Sequence, residues 1–175
     1  ISDPHYRMTE ITNKVSTSGL ITIDPADFYV KGERVLLDVK PLLVEEFLLR
    51  EKDFREYVKN NDWAQYTGKF VAITCTNDAI IPVWAYMLLA GALQPFAAKI
   101  VFGNLNELEA VLFSESLSKL NHEDYHDQRI VIKGCGDIPV PTAVYVELTR
   151  VLKPVVKSIM YGEPCSTVPV YKKPS

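Results

Sequence analysis

Cysteine and histidine are scarce in this chain, with three of each among 175 residues. Three thiols cannot all pair with one another, and a reducing compartment keeps them free, so the composition argues against a disulfide-stapled scaffold. Long apolar runs are missing as well. No stretch approaches the roughly 20 residues of a membrane-crossing helix, and the start has no charged region leading into an apolar segment and a cleavage site. These absences point to a cytoplasmic protein with no membrane partner. Positive charge is not in excess, the formal net charge being -3, which argues against nucleic acid as the main partner because phosphate contacts need a basic surface. The one compact basic cluster is Lys172-Lys173 near the end. No G-x-G-x-x-G, Walker lysine loop or G-x-S-x-G elbow is found, so the common nucleotide and hydrolase signatures are missing.

What is present is the composition of a globular protein, 47% hydrophobic and 23% charged, in a length that suits one domain over 1–175. Residues 1–8 read as a leader ahead of Met8. Two strand-like runs, Leu20–Ile23 and Arg34–Val39, flank a loop with Asp24-Pro25 and Gly32. Leu43, Phe47, Phe54 and Val58 then recur at helical spacing, which predicts a helix between Pro41 and Asn61. From Lys69 the pattern becomes regular: a strand over Phe70–Thr74, a helix over Pro82–Leu93, a strand over Lys99–Gly103, a helix capped by Asn104 and a strand over Arg129–Lys133. A last helical region starts near Thr142, with Val144, Leu148, Val151, Val155 and Ile159 on one face. The expected fold is α/β: a three-layer, mostly parallel sheet with helices on both faces, in Rossmann-like or flavodoxin-like order, with extra N-terminal strands and a helix. In such an order the strands ending at Cys75 and Cys135 lie side by side, at the switch point where these folds bind ligands.

The loops after those strands read AITCTND and IVIKGCGDIPVP, and a partial echo, PCSTVPVY, carries Cys165. Thiolates are soft ligands, and three around one position suit zinc with a fourth donor, or an iron–sulfur cluster with one iron left open. Asp78 and Asp137 are the nearby oxygen donors. Cys165 joins such a site only if the chain turns back at Lys153-Pro154, because an unbroken helix from Thr142 would carry it to the far edge of the sheet. Two other readings stay open. Free cysteine behaves as a small buried hydrophobe, which makes all three structural; or Cys135, just ahead of a helix N-terminus that lowers a thiol pKa, is a catalytic thiol. A small anion at the N-terminus of the helix after Pro139 or Pro82 is also compatible with the pattern.

His122-Glu-Asp-Tyr-His126 matches H-E-x-x-H, but that chemistry needs both histidines on one face of an apolar-patterned helix, and this match lies in the polar stretch Asn121–Gln128. It reads as a solvated connection. The aromatic run Val83-Trp-Ala-Tyr-Met-Leu-Leu89 reads as helix core.

The stretches EKDFR, DAIIPVWAYMLLA, VIKGCGDIPVPTAVYVELTR and SIMYGEPCSTVPVYK together resemble an uncharacterised bacterial family, catalogued as domain of unknown function 2480, over about Glu10 to Lys172. The resemblance implies no activity and no catalytic residues. It does imply an association with iron–sulfur assembly proteins, beside which members are often encoded.

Overall fold

The computed structural model describes residues 19–134, 136–163 and 166–174. The chain runs β1 (Leu20–Ile23), β2 (Arg34–Asp38), α1 (Glu51–Asn60), β3 (Phe70–Thr74), α2 (Val83–Leu93), β4 (Lys99–Phe102), α3 (Leu105–Leu117), β5 (Arg129–Ile132), α4 (Thr142–Leu152), β6 (Ser158–Glu163) and β7 (Ser166–Lys172). It is a mixed α/β chain whose strands pair mostly in parallel. No helix among the described residues is long and apolar enough to cross a membrane.

The strands form two sheets, ordered β1-β5-β6-β7 and β2-β3-β4, and the chain divides into two compact units accordingly. One holds the described residues up to Asp27 and from Leu120 onward; the other is Phe28–Lys119. This corrects the expected adjacency of the strands that end at Cys75 and Cys135. A strand has two edges, and β3 uses both for β2 and β4 while β5 uses both for β1 and β6. The two early runs therefore occupy the edges by which β3 and β5 would have paired.

In the Phe28–Lys119 unit, alternation along β3 sends side chains to two cores. Val71 and Ile73 join Phe54, Trp63, Leu89 and Leu93, whereas Ala72 packs with Leu108 and Leu112 of α3. Helices thus cover both faces of this sheet. Each fully buried leucine here contributes on the order of 1.5–3 kcal/mol. Asn104 caps α3 as expected, its side chain accepting from the N–H groups of Asn106 and Glu107 while Glu107 accepts from the Asn104 N–H. Trp63 and Tyr66 lie on a short 3-10 turn, Trp63–Tyr66, and stack 5.9 Å apart against the same core.

Two expected helices are shorter than their apolar patterns. Between Pro41 and Asn61 the helix begins only at Glu51, because Glu45 and Glu46 take left-handed backbone (φ 51° and 69°) and Val44 pairs instead with Leu48. The last helix stops at Leu152. Pro154 has no N–H with which to continue the helical ladder, and the chain reverses there. Val155 then lies in the turn and Ile159 on β6, which runs parallel to β5.

The two units trace one path. Val83–Leu93 and Thr142–Leu152 begin and end 59 residues apart (83 to 142, 93 to 152), and the same offset relates β3 to β5, β4 to β6 and the 3-10 turns Trp63–Tyr66 and His122–Tyr125. Individual bonds repeat as well. Gly68 N–H donates to Phe96 O as Asp127 N–H does to Val155 O, and Ala98 N–H donates to Lys69 O as Lys157 N–H does to Gln128 O. Gly68 and Asp127 both take the left-handed conformation. Identical residues mark the path at Tyr66/Tyr125, Asp78/Asp137, Pro82/Pro141, Tyr86/Tyr145, Leu89/Leu148 and Gly103/Gly162. The fold is a β-β-α-β unit built twice, with β1 and β2 as the respective first strands. After Gly103 one copy proceeds into α3; after Gly162 the other enters the β6–β7 hairpin.

Candidate functional site

Parallel strands end together, and the space beyond their carboxyl ends is the usual place for a ligand in α/β sheets. Past β1 and β5 come Asp24 and Lys133. The Lys133 N–H donates to Ile23 O at 2.9 Å, one step beyond the strand pairing. That register brings the side chains together, and Lys133 Nζ donates to Asp24 Oδ2 at 3.0 Å. Asp24 Oδ1 in turn accepts from the Ala26 N–H at 2.9 Å, which fixes the carboxylate at the start of the turn Pro25–Phe28. The bond and charge of Asp24 raise the Lys133 pKa, with Glu163 and Asp137 adding to the effect, so the ammonium stays charged. Asp27 nearby has its pKa raised by burial first and by the Asp24 charge second.

A pocket of about 320 Å³ opens at this edge, lined by Asp24, Lys133, Gly134, Gly136, Pro139 and Tyr145 among others. Glycine at 134 lets the Tyr161 ring lie close against the backbone. A Cβ there would meet the Tyr161 hydroxyl oxygen at 2.5 Å, and Tyr161 makes an edge-on contact with Tyr145 at 5.7 Å. The pocket therefore combines a charged pair, backbone exposed at two glycines, and a phenol on the first turn of α4. Such a mixture of apolar wall and a few fixed polar groups suits a small polar molecule.

The matching edge of the other unit carries different chemistry on the same frame. Asp38 ends β2 as Asp24 follows β1, and it accepts from the Lys40 N–H at 2.9 Å, the Thr76 N–H at 3.0 Å and the Thr76 hydroxyl at 2.5 Å. Burial alone would raise its pKa, but those three bonds outweigh it and the net direction is down. Tyr86 repeats Tyr145, with Phe102 edge-on at 4.9 Å in the place of Tyr161. Burial raises the Tyr86 pKa, and Cys75 and Asp38 add to the rise. The cation of the first site has no counterpart here: Thr74 stands where the other unit has Lys133.

Cys75 is a free, partly buried thiol that packs against the core of Phe54, Trp63 and Leu89. Asp78 and Asp137 occupy equivalent, exposed loop positions in the two units. Cys135 and Pro164-Cys165 lie outside the described residues, but the residues that flank them are described. Gly134 and Gly136 line the pocket. Glu163 and Ser166, which flank Pro164-Cys165, pair across the β6–β7 hairpin, and β6 ends at the edge where β5 ends. The turn at Lys153-Pro154, on which any return of Cys165 depended, is present. By the repeat offset Cys75 corresponds to Gly134 and Cys135 to Thr76, so the two thiols do not occupy equivalent positions. Among the described residues no group of three or more His, Cys, Asp and Glu side chains is arranged to hold a metal ion.

The H-E-x-x-H match is an exposed 3-10 turn, His122–Tyr125, followed by His126. The Lys133–Asp24 pair is a feature that sequence pattern alone does not reveal. A loop acid before proline, Asp24-Pro25, and a lysine closing an apolar strand just ahead of glycine are its only local signals.

The chain belongs to the family described as protein of unknown function (DUF2480), which matches residues 9–173. No curated protein and no solved structure is significantly similar to it.

Proposed function

We propose that the protein binds a small polar molecule in the pocket past β1 and β5 and acts on it through the thiol of Cys135. The observation that carries this reading is that both chain neighbours of Cys135 line the pocket together with the Lys133–Asp24 pair and Tyr145. A cation beside a thiol and a helix N-terminus ahead of it each favour the thiolate. In the chain, Lys133 stands two residues before Cys135 and α4 begins seven residues after it, at Thr142. Asp24 orients the ammonium, and Tyr145 forms part of the pocket wall. The test is the rate of modification by iodoacetamide at neutral pH, mapped by mass spectrometry. Cys135 should react at least about tenfold faster than Cys75, and Lys133→Met should slow it; equal, slow modification of all three thiols would overturn the reading.

A second reading, a zinc ion or iron–sulfur cluster held by Cys135 and Cys165 with Asp137 as an oxygen donor, is favoured by the position of β5 and β6 as neighbours whose carboxyl ends share one edge. Cys75 and Asp78 belong to the other unit and would enter only as a separate contribution. A partner among iron–sulfur assembly proteins goes with this reading. It predicts metal, or charge-transfer absorbance, in anaerobically purified protein; metal-free protein unchanged by reconstitution would remove it. For Cys75, packing against the apolar core supports a structural role.

A further inference from the structure

Opposite the thiol loops, at the amino ends of β1, β5 and β6, the same unit holds a groove of about 700 Å³. Its rim is basic: Arg129 opens β5, Lys157 precedes β6, Lys172 ends β7 and Lys173 follows it. Its floor is apolar, with Leu20, Met160 and Tyr171 among the lining residues, and Lys153 adds a fifth cation 5.5 Å from the Tyr171 ring. Among the described residues one carboxylate answers this charge, Asp127, which pairs with Lys173 at 3.2 Å. Arg129, Lys157 and Lys172 have no ion-pair partner among the described residues. In a chain of net charge -3, four cations around one groove are a local excess that needs a reason.

The repeated unit shows that the fold does not supply that reason. Arg129 and Lys157 correspond to Phe70 and Ala98, and Lys153 to Gln94. Ala98 makes the same backbone bond as Lys157, and Phe70 opens its strand as Arg129 does. The lysines that the other unit has at this edge, Lys69 and Lys99, are both neutralised, by Glu33 and Glu115. One scaffold thus carries neutral or paired residues where the other gathers cations, of which Arg129, Lys157 and Lys172 have no ion-pair partner among the described residues. β7, which brings Lys172 and Lys173, is an addition the other unit lacks.

We infer that this groove is a binding site, separate from the thiol pocket, for an organic phosphate of nucleotide size: the cationic rim takes the phosphates and the apolar floor the uncharged body. Lysine and arginine donors suit phosphate oxygens, and the volume lies within the range of small-molecule sites, roughly 300–1,000 Å³. A pocket of that size, in a chain of net negative charge, favours a small ligand over a nucleic-acid strand.

The test is calorimetric titration of the full chain with ATP in chelator, with pyrophosphate, and with adenosine as the uncharged body. ATP should bind, pyrophosphate more weakly, and adenosine not measurably. Arg129→Phe and Lys157→Ala install the residues that the other unit already carries, so the fold is expected to keep its melting temperature. Each should weaken ATP binding about tenfold, or about 1.4 kcal/mol, and the pair together should abolish it. ATP that fails to bind, or that binds the double variant as it binds the wild type, overturns the inference. So does adenosine binding as well as ATP. A single-stranded oligonucleotide that binds where ATP and pyrophosphate do not would make the groove a nucleic-acid surface and overturn the small-ligand assignment.

Discussion

At the end of its first strand each unit carries an aspartate, and the two are held in opposite ways. Asp38 receives three hydrogen bonds from neutral donors; Asp24 receives one backbone bond and a lysine ammonium. The strands, helices and turns beneath them repeat down to single backbone bonds, so the scaffold did not force this divergence. Loop residues on a fixed frame are where function concentrates. Leu89 and Leu148, kept in both copies, are wholly buried in their cores. Ala98 and Lys157 differ although they make the same backbone bond, so that bond does not require the lysine. The repeated unit therefore serves as an internal comparison of different side chains on one backbone frame.

The largest expected effects test the shared part. Leu89 and Leu148 are equivalent and both wholly buried, so Leu89→Ala and Leu148→Ala should each cost about 2–5 kcal/mol from lost transfer energy and the cavity left behind. Urea unfolding monitored by circular dichroism measures both. A loss below about 1 kcal/mol at one position and a full loss at the other would break the claim that α2 and α4 play the same part in their cores.

Next in size are the glycines where the copies part company. Gly103 and Gly162 both have left-handed backbone, φ 136° and 120°, which an L residue adopts at a cost of about 1–3 kcal/mol. The neighbours then decide the order. A Cβ at Gly162 would come to 2.5 Å from the Ser166 carbonyl oxygen, a backbone atom of the hairpin, whereas at Gly103 it would meet the Glu107 side chain. The Glu107 carboxylate can swing away, losing its bond to the Asn104 N–H and leaving the Glu107 Cβ at 2.9 Å as the remaining close contact. Gly162→Ala should accordingly destabilise more than Gly103→Ala in the same unfolding measurement, and the reverse order would count against the hairpin being fixed at that point.

Much of this frame is legible as periodicity. The runs at Phe70–Thr74, Lys99–Phe102 and Arg129–Ile132 and the stripe of α2 announce themselves because buried parallel strands and buried helices are apolar throughout. β6 is hidden because Val155 and Ile159 prolong the stripe of α4 at helical spacing, and only Pro154 marks the break. β7 is hidden by Pro169, which argues against a central strand. In the fold it sits on an edge strand, opposite Met160 where the β6–β7 register shifts, and there a missing N–H is tolerated. The repeat is faint in the sequence because its identities are scattered among exchanges such as Trp63 for His122 and Gly68 for Asp127. Of the pocket past β1 and β5, the glycines and prolines around Cys135 mark the loop that lines it. Asp24 and Lys133 stand 109 residues apart, so no local pattern could pair them. The single sheet that would have joined Cys75 to Cys135 fails because β1 and β2 are not additions at its margin but the partners of β5 and β3.

The smallest effect sharpens the contrast between the aspartates and their surroundings. Hydrogen bonds hold the Asp38 pKa below its ordinary value. Its stabilising contribution is therefore complete above about pH 4, the unfolded carboxylate value, and is lost as pH falls through the lowered folded value. Asp27 runs the other way. Burial and the Asp24 charge raise its pKa, so its protonated form is the favoured one; that contribution is complete below about pH 4 and is lost as pH rises through the raised folded value. In melts between about pH 3 and pH 7, Asp38→Asn should be less stable than the wild type at neutral pH, with the gap closing in acid. Asp27→Asn should match or exceed the wild type at neutral pH and lose that advantage in acid. Both groups are largely solvated, which keeps each difference under about 1 kcal/mol, but their pH slopes have opposite signs. Slopes of one sign would mean that the two loop acids do not differ in environment, and the distinction between the pocket past β1 and β5 and its counterpart past β2 and β3 would then rest on Lys133 alone.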